Sequence, residues 1–189
     1  MRRAFPTILL LLAAGCQSEA PAPQNKTDVA AAPAAPAPPA ASGKVDRSRA
    51  GTPAPDTEFD DGEGDKVSLA SFEGKPVLLN LWGTWCGPCV RELPTLDRLA
   101  AAQSGKLQMI AVSQLDTREK VDAFFAKAKI AALEPYLDAD AALMGALKAE
   151  VLPTTILYDA KGREIWRVTG DLDWTGSQAA KLLAEAAPG

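Results

Sequence analysis

The sequence predicts an α/β protein with a mixed central β-sheet flanked by helices. Two nearly continuous apolar runs, Val77–Trp82 and Leu107–Gln114, suit strands buried on both faces. Segments of helical periodicity alternate with them. Near the end, the runs Thr154–Asp159 and Glu164–Val168 flank the turn Ala160-Lys161-Gly162-Arg163, which reads as an antiparallel hairpin.

The remaining elements follow in order. Lys66–Leu69 is expected to be a short strand after the Gly-rich turn Asp60–Asp65. It supplies a strand or hairpin extension ahead of the central sheet. Cys89–Gln103 is expected to be a helix bent at Pro94. Thr117–Lys129 places Val121, Phe124 and Phe125 on one helical face. Ala139–Glu150 is a third expected helix, and Trp174–Ala187 closes the chain as a fourth.

Composition narrows the function. Hydrophobic residues make up 47% and charged residues 23% of the 189, as in ordinary globular proteins. The net charge of −4 and the lack of a basic run argue against a nucleic-acid partner. Histidine is absent, so imidazole enters neither a mechanism nor a metal site. The cysteines are Cys16, Cys86 and Cys89.

The N-terminus reads as an address. Arg2 and Arg3 precede the apolar run Ile8–Ala14. That run is far shorter than the roughly 20 residues needed to cross a bilayer. Residues 1–15 therefore read as an export signal. Ala13, Ala14 and Gly15 stand directly before Cys16, which resembles a bacterial lipobox with Cys16 as the lipidated residue. Residues 16–52, rich in Ala and Pro, read as a lipid-anchored, disordered or polyproline-like spacer. Residues 53–189 are the expected folded domain, long enough to bury a sizeable core. The expected location is the periplasm, on a bacterial inner or outer membrane.

The chemistry lies in Trp85-Cys86-Gly87-Pro88-Cys89. A Cys-x-x-Cys pair can clip a metal, staple a fold or exchange disulfides. A metal site needs three or four ligands, and neither histidine nor a nearby third cysteine supplies them. A staple closing so short a loop constrains the unfolded chain little. Disulfide exchange fits best. Cys86 falls at a strand-to-helix junction, where unpaired N–H groups and the positive end of the helix dipole favour a thiolate. Pro88 suits a first helical turn, where a missing N–H loses nothing.

The WCGPC motif after a buried strand resembles the active site of the thioredoxin superfamily. The segments GTPAPDTEF, VSLASFEGKPVLLNLWGTWCGPCVRELPTL and VLPTTILYDAKGREIWRVTG resemble its TlpA/ResA-type branch of exported, membrane-tethered thiol-disulfide oxidoreductases. A peroxiredoxin would carry Thr-x-x-Cys, whereas Thr84 and Cys86 are two apart.

The resemblance implies a thioredoxin-like fold and a set of roles. Cys86 and Cys89 form the redox pair. Pro153 aligns with a cis-proline that presents the backbone of Leu152 to substrate. Glu92 is a proton acceptor for Cys89, and Asn80 stands where thioredoxins carry a buried aspartate. Trp82 either packs around the sulfurs or lines the core. Trp85, Gly87 and Pro88 contact substrate. Implied partners are protein thiols and disulfides of exported proteins, apocytochrome c among them, and a membrane electron donor. No cofactor and no metal are implied. The expected reaction is disulfide reduction. Oxidation or isomerisation, and a non-enzymatic metal-binding module, are the alternatives.

Overall fold

The computed structural model describes residues 43–186. The expected signal, Cys16 and residues 17–42 of the spacer lie outside them. Eight strands form one sheet: β1 Lys44–Asp46, β2 Phe59–Asp60, β3 Lys66–Val67, β4 Val77–Trp82, β5 Gln108–Gln114, β6 Pro135–Asp138, β7 Thr154–Tyr158 and β8 Glu164–Thr169. Among the described residues, four α-helices interrupt them: α1 Gly87–Ala102, α2 Arg118–Ala128, α3 Ala142–Ala146 and α4 Ser177–Leu183. The strand order is β1-β8-β7-β4-β5-β6-β2-β3. β5 runs parallel to β4 and to β6, while β7 is antiparallel to β4 and to β8.

Strand β4 organises the core. All six of its residues are buried, because helices cover both faces of the sheet. Leu78 and Trp82 face a cluster with Leu93, Leu96, Val121 and Phe125 of α1 and α2. Leu79 and Leu81 face the opposite cluster with Ile110, Ile156 and Leu143. Leu78, Leu79 and Leu81 are wholly buried, and burying each contributes about 2 kcal/mol. Asn80 lies on the α1 side between Leu78 and Trp82, as the period-two alternation of a strand requires. Helix α1 continues through Pro94.

Several expectations need correction. The folded domain begins before Pro53. β1 pairs with β8 from Lys44↔Thr169 to Asp46↔Arg167, and the Gly51 amide donates to the Glu164 carbonyl at 2.7 Å. Three residues in a polar stretch carry no readable periodicity, so only edge pairing reveals this strand. β6 is short and was not expected either. The strand at Lys66 ends at Val67, and Leu69–Phe72 form a 3-10 turn. The third helix covers only Ala142–Ala146, between Ala141 and Lys148, both in left-handed backbone. Helix propensity over Ala139–Glu150 is overridden there, because the chain must turn back into β7. The last α-helix begins at Ser177 rather than Trp174. Trp174 thus sits in a loop and drops into the core, 2% exposed.

Candidate active site

Strand β4 ends at Trp82, and the turn that follows hands the chain to α1. The Cys86 amide donates to the Gly83 carbonyl at 3.1 Å. Cys86 is the N-cap of α1, and its Sγ accepts the Cys89 amide at 3.3 Å. Gly87 and Pro88 form the first turn. Cys86 and Cys89 are joined by a disulfide, with Cα atoms 5.3 Å apart. The pair lies where unpaired amides and the helix dipole stabilise a thiolate. Cys86 is 7% exposed and Cys89 1%, so attack on the outer sulfur is the easier.

A buried carboxylate braces this turn. Asp116 accepts the Thr84 amide at 2.8 Å, the Thr84 hydroxyl at 2.7 Å and the Ser113 hydroxyl at 2.6 Å. The Trp85 indole N–H donates to the Gln114 carbonyl at 3.1 Å. Trp82 instead lines the core, its ring 5.2 Å from that of Phe124 and 6.0 Å from that of Phe125.

The Leu152–Pro153 bond is cis. Strand β7 opens at Thr154, opposite Leu81 of β4. Pro153 therefore lies at the end of the sheet where β4 gives way to the redox turn. The Pro153 carbonyl accepts the Gly170 amide at 2.9 Å.

Glu92 is three residues after Cys89 on α1, and such residues are neighbours on a helix face. It is 3% exposed, not a solvated surface group. Its Oε1 accepts the Trp174 indole N–H at 2.5 Å and the Leu172 amide at 3.2 Å. Its Oε2 lies 3.5 Å from Asn80 Nδ2, which also donates to the Thr155 hydroxyl at 2.9 Å. Burial pushes the Glu92 carboxyl up to about 7, against the opposing pull of the Trp174, Leu172 and Asn80 hydrogen bonds. The nearby Asp171 carboxylate adds a smaller push in the same direction.

The structure thus gathers Cys86, Gly87, Pro88, Cys89 and Glu92 on one helix, with Trp85 just before it and Leu152 and Pro153 at the same end of the sheet. Trp174, Leu172, Thr84 and Asp116 join them and were not singled out in the sequence. Trp174 and Leu172 are some 80 residues from Glu92, and no local pattern links them. Only for Asp116 was a signal present: an acid two residues after a buried strand.

The Redoxin family matches residues 49–183. The chain belongs to that family. Thiol-disulfide oxidoreductase ResA of Bacillus subtilis (strain 168) is 32% identical over 123 residues, covering 65% of this chain and 68% of the relative. ResA of Bacillus thuringiensis subsp. konkukian (strain 97-27) is 30% identical over 145 residues, covering 77% and 83%. The crystal structure of a Chlorobium tepidum protein assigned as thiol:disulfide interchange protein DsbE superposes with a TM-score of 0.66 at 24% identity. That superposition covers 72% of this chain and 96% of the other, and it shows the shared thioredoxin-like fold. This member of the Redoxin family is a thiol-disulfide oxidoreductase, and Cys86–Cys89 is its disulfide.

Proposed function

We propose that the chain is a protein disulfide reductase tethered to a bacterial membrane through a lipid on Cys16. The Cys86 thiolate attacks a substrate disulfide, forms a mixed disulfide with one sulfur and expels the other as a thiolate. Cys89 then gives up its proton and attacks Cys86 Sγ. The second substrate thiolate leaves, and the Cys86–Cys89 disulfide remains. A membrane dithiol returns two electrons, because the surrounding compartment is oxidising. Trp85, Gly87, Pro88 and the backbone of Leu152 ahead of Pro153 form the contact face for substrate. Disulfides of exported proteins, apocytochrome c among them, are the proposed substrates.

Glu92 is the proposed acceptor for the Cys89 proton. The observation that carries this reading is a buried carboxylate, raised to about 7, one helical turn beyond a buried cysteine. Such a group takes and returns a proton near neutral pH. Oε1 accepts two hydrogen bonds and Oε2 only a long one from Asn80, so Oε2 is the less engaged oxygen and the proposed site of protonation. The Gly-Pro dipeptide between the cysteines supports the reducing direction, since thioredoxin carries the same pair at about −270 mV.

The test uses full-length chain in detergent. Cys86→Ala abolishes insulin-disulfide reduction, and Cys89→Ala accumulates mixed disulfides with substrate. Undiminished insulin reduction by Cys86→Ala would overturn the mechanism. Equilibration with glutathione gives the direction: a potential near about −270 mV fits a reductase, and one near about −120 mV an oxidant.

A further inference from the structure

A cleft of about 900 Å³ opens away from the redox pair, between the second half of α1 and α4. Strand β4 starts at Val77, opposite Gln108 of β5, and ends at Trp82, just before the redox turn. The Gln108 amide donates to the Pro76 carbonyl at 2.9 Å, and the Leu107 amide to the Gln103 carbonyl at 3.2 Å. These bonds gather the chain before β4, the end of α1 and the start of β5 at the foot of the sheet, opposite Cys86. The cleft lies there. Leu99, Ala102, Leu107, Ala180 and Leu183 give it an aliphatic wall, and Trp174 completes the apolar lining. Leu107 and Leu183 pack on the buried cluster yet remain partly exposed.

The charges of this cleft are of one sign. Lys75, Arg98 and Lys106 line it and are exposed, and among the described residues no Asp or Glu does. The chain as a whole holds 24 acidic residues against 20 basic ones, so a cleft with bases alone departs from its surroundings. Among the described residues, none of the three bases is in a salt bridge. Arg98 senses the carboxylate of Asp173, which stands outside the lining. An anion placed among the three is attracted by each and offsets their mutual repulsion.

We propose that this cleft binds an anionic phospholipid, with an acyl chain against the aliphatic wall and the phosphate headgroup among Lys75, Arg98 and Lys106. Size excludes an inorganic anion as the fitting occupant, since a water takes only about 30 Å³ and the cleft has room for an organic ligand. An acyl chain also carries no hydrogen-bonding groups, so it loses nothing against carbon, whereas a peptide would strand its buried amides there. Basic side chains close to a membrane are drawn to its anionic lipids. The inference goes beyond disulfide reduction and draws on the proposed tether only to bring the lipid within reach. Because the cleft is at the foot of the sheet, an occupied cleft leaves Cys86 open to substrate.

The test uses full-length chain in phosphatidylcholine vesicles that contain some phosphatidylglycerol with a photoreactive diazirine on its acyl chain. Irradiation is expected to attach this lipid to Leu99, Ala102, Leu107 or Leu183, as mapped by peptide mass spectrometry. Labelling there should be about fivefold stronger than when phosphatidylcholine carries the diazirine. Lys75→Glu, Arg98→Glu and Lys106→Glu combined should lower it severalfold and leave insulin-disulfide reduction unchanged. No labelling of the cleft, equal labelling by the two lipids, or labelling indifferent to the charge reversal would each overturn the inference. Pairing of copies that the charge reversal abolishes, read by sedimentation, would also overturn it and make the cleft a contact between copies. The acyl group on Cys16 is read separately, in the mass of the N-terminal peptide. A chain without that group removes the tether alone, and the same vesicles added to it still decide whether the cleft takes lipid.

Discussion

Glu92 and Glu164 are both 3% exposed, yet their surroundings differ in kind. Glu164 faces a cation. Arg167 donates to its two oxygens at 2.7 Å each, and Arg49 stands 4.0 Å away. Glu92 faces only neutral donors: an indole, a backbone amide and a side-chain amide. A buried charge matched by another charge is a structural element, since neither partner can neutralise alone without stranding the other. A buried carboxylate held only by dipoles keeps a raised pKa and can change its charge near neutral pH. The first arrangement pins β8 to the loop at Leu147, whose carbonyl accepts Arg167 at 3.0 Å. The second sits beside the redox pair.

The same substitution should therefore act in opposite directions at the two sites. The largest effect is expected from Glu164→Gln, which leaves the Arg167 guanidinium buried without its counter-charge. A loss of about 3 kcal/mol at pH 7 is expected in urea unfolding. No loss would mean that the pair behaves as a surface one.

Glu92→Gln should instead stabilise the protein at pH 8 and leave it unchanged at pH 4. The folded carboxyl titrates at about 7 against an ordinary 4.5. Below 4.5 both states hold the proton, and the full contribution is present. As pH rises from 4.5 to 7 the unfolded chain releases its proton while the folded one retains it, so stability falls. The fall is complete above 7 and is on the order of 3 kcal/mol at most. Glu92→Gln removes this slope. It should also slow resolution of the mixed disulfide and flatten its rise with pH near 7. An unchanged pH profile in stopped-flow would remove Glu92 from proton transfer.

The smallest change is expected from Trp174→Phe, which deletes one neutral donor. That hydrogen bond lowers the Glu92 pKa, so its loss should raise it further. Carboxyl NMR of the labelled side chain would read the shift. A downward shift would mean that water enters the cavity and offsets burial.

Legibility in the sequence followed the range of the interactions. Val77–Trp82 could be read to the residue, because a strand covered on both faces needs an unbroken apolar run. The hairpin of Thr154–Asp159 and Glu164–Val168 was legible from its turn. Cys86 and Cys89 were legible from their spacing at the start of a helix after a buried strand, since one helical turn sets their distance. β1 and β6 were not, because strands of 3 and 4 residues have too few positions to display a period. Trp174 was misplaced on a helix because the sequence carries no sign that its indole is required by Glu92.

The sequence by itself determined the alternation of buried strands and helices, the redox pair at a helix start and the presence of an acid three residues beyond it. These depend on local spacing, which the covalent chain fixes. Only the tertiary structure decided that Glu92 is buried without a cation while Glu164 has one, and that Trp174 and Asn80 close over Glu92. A carboxyl's charge state and a side chain's exposure depend on what packs against them from distant parts of the chain, and only the closed sheet brings those parts together.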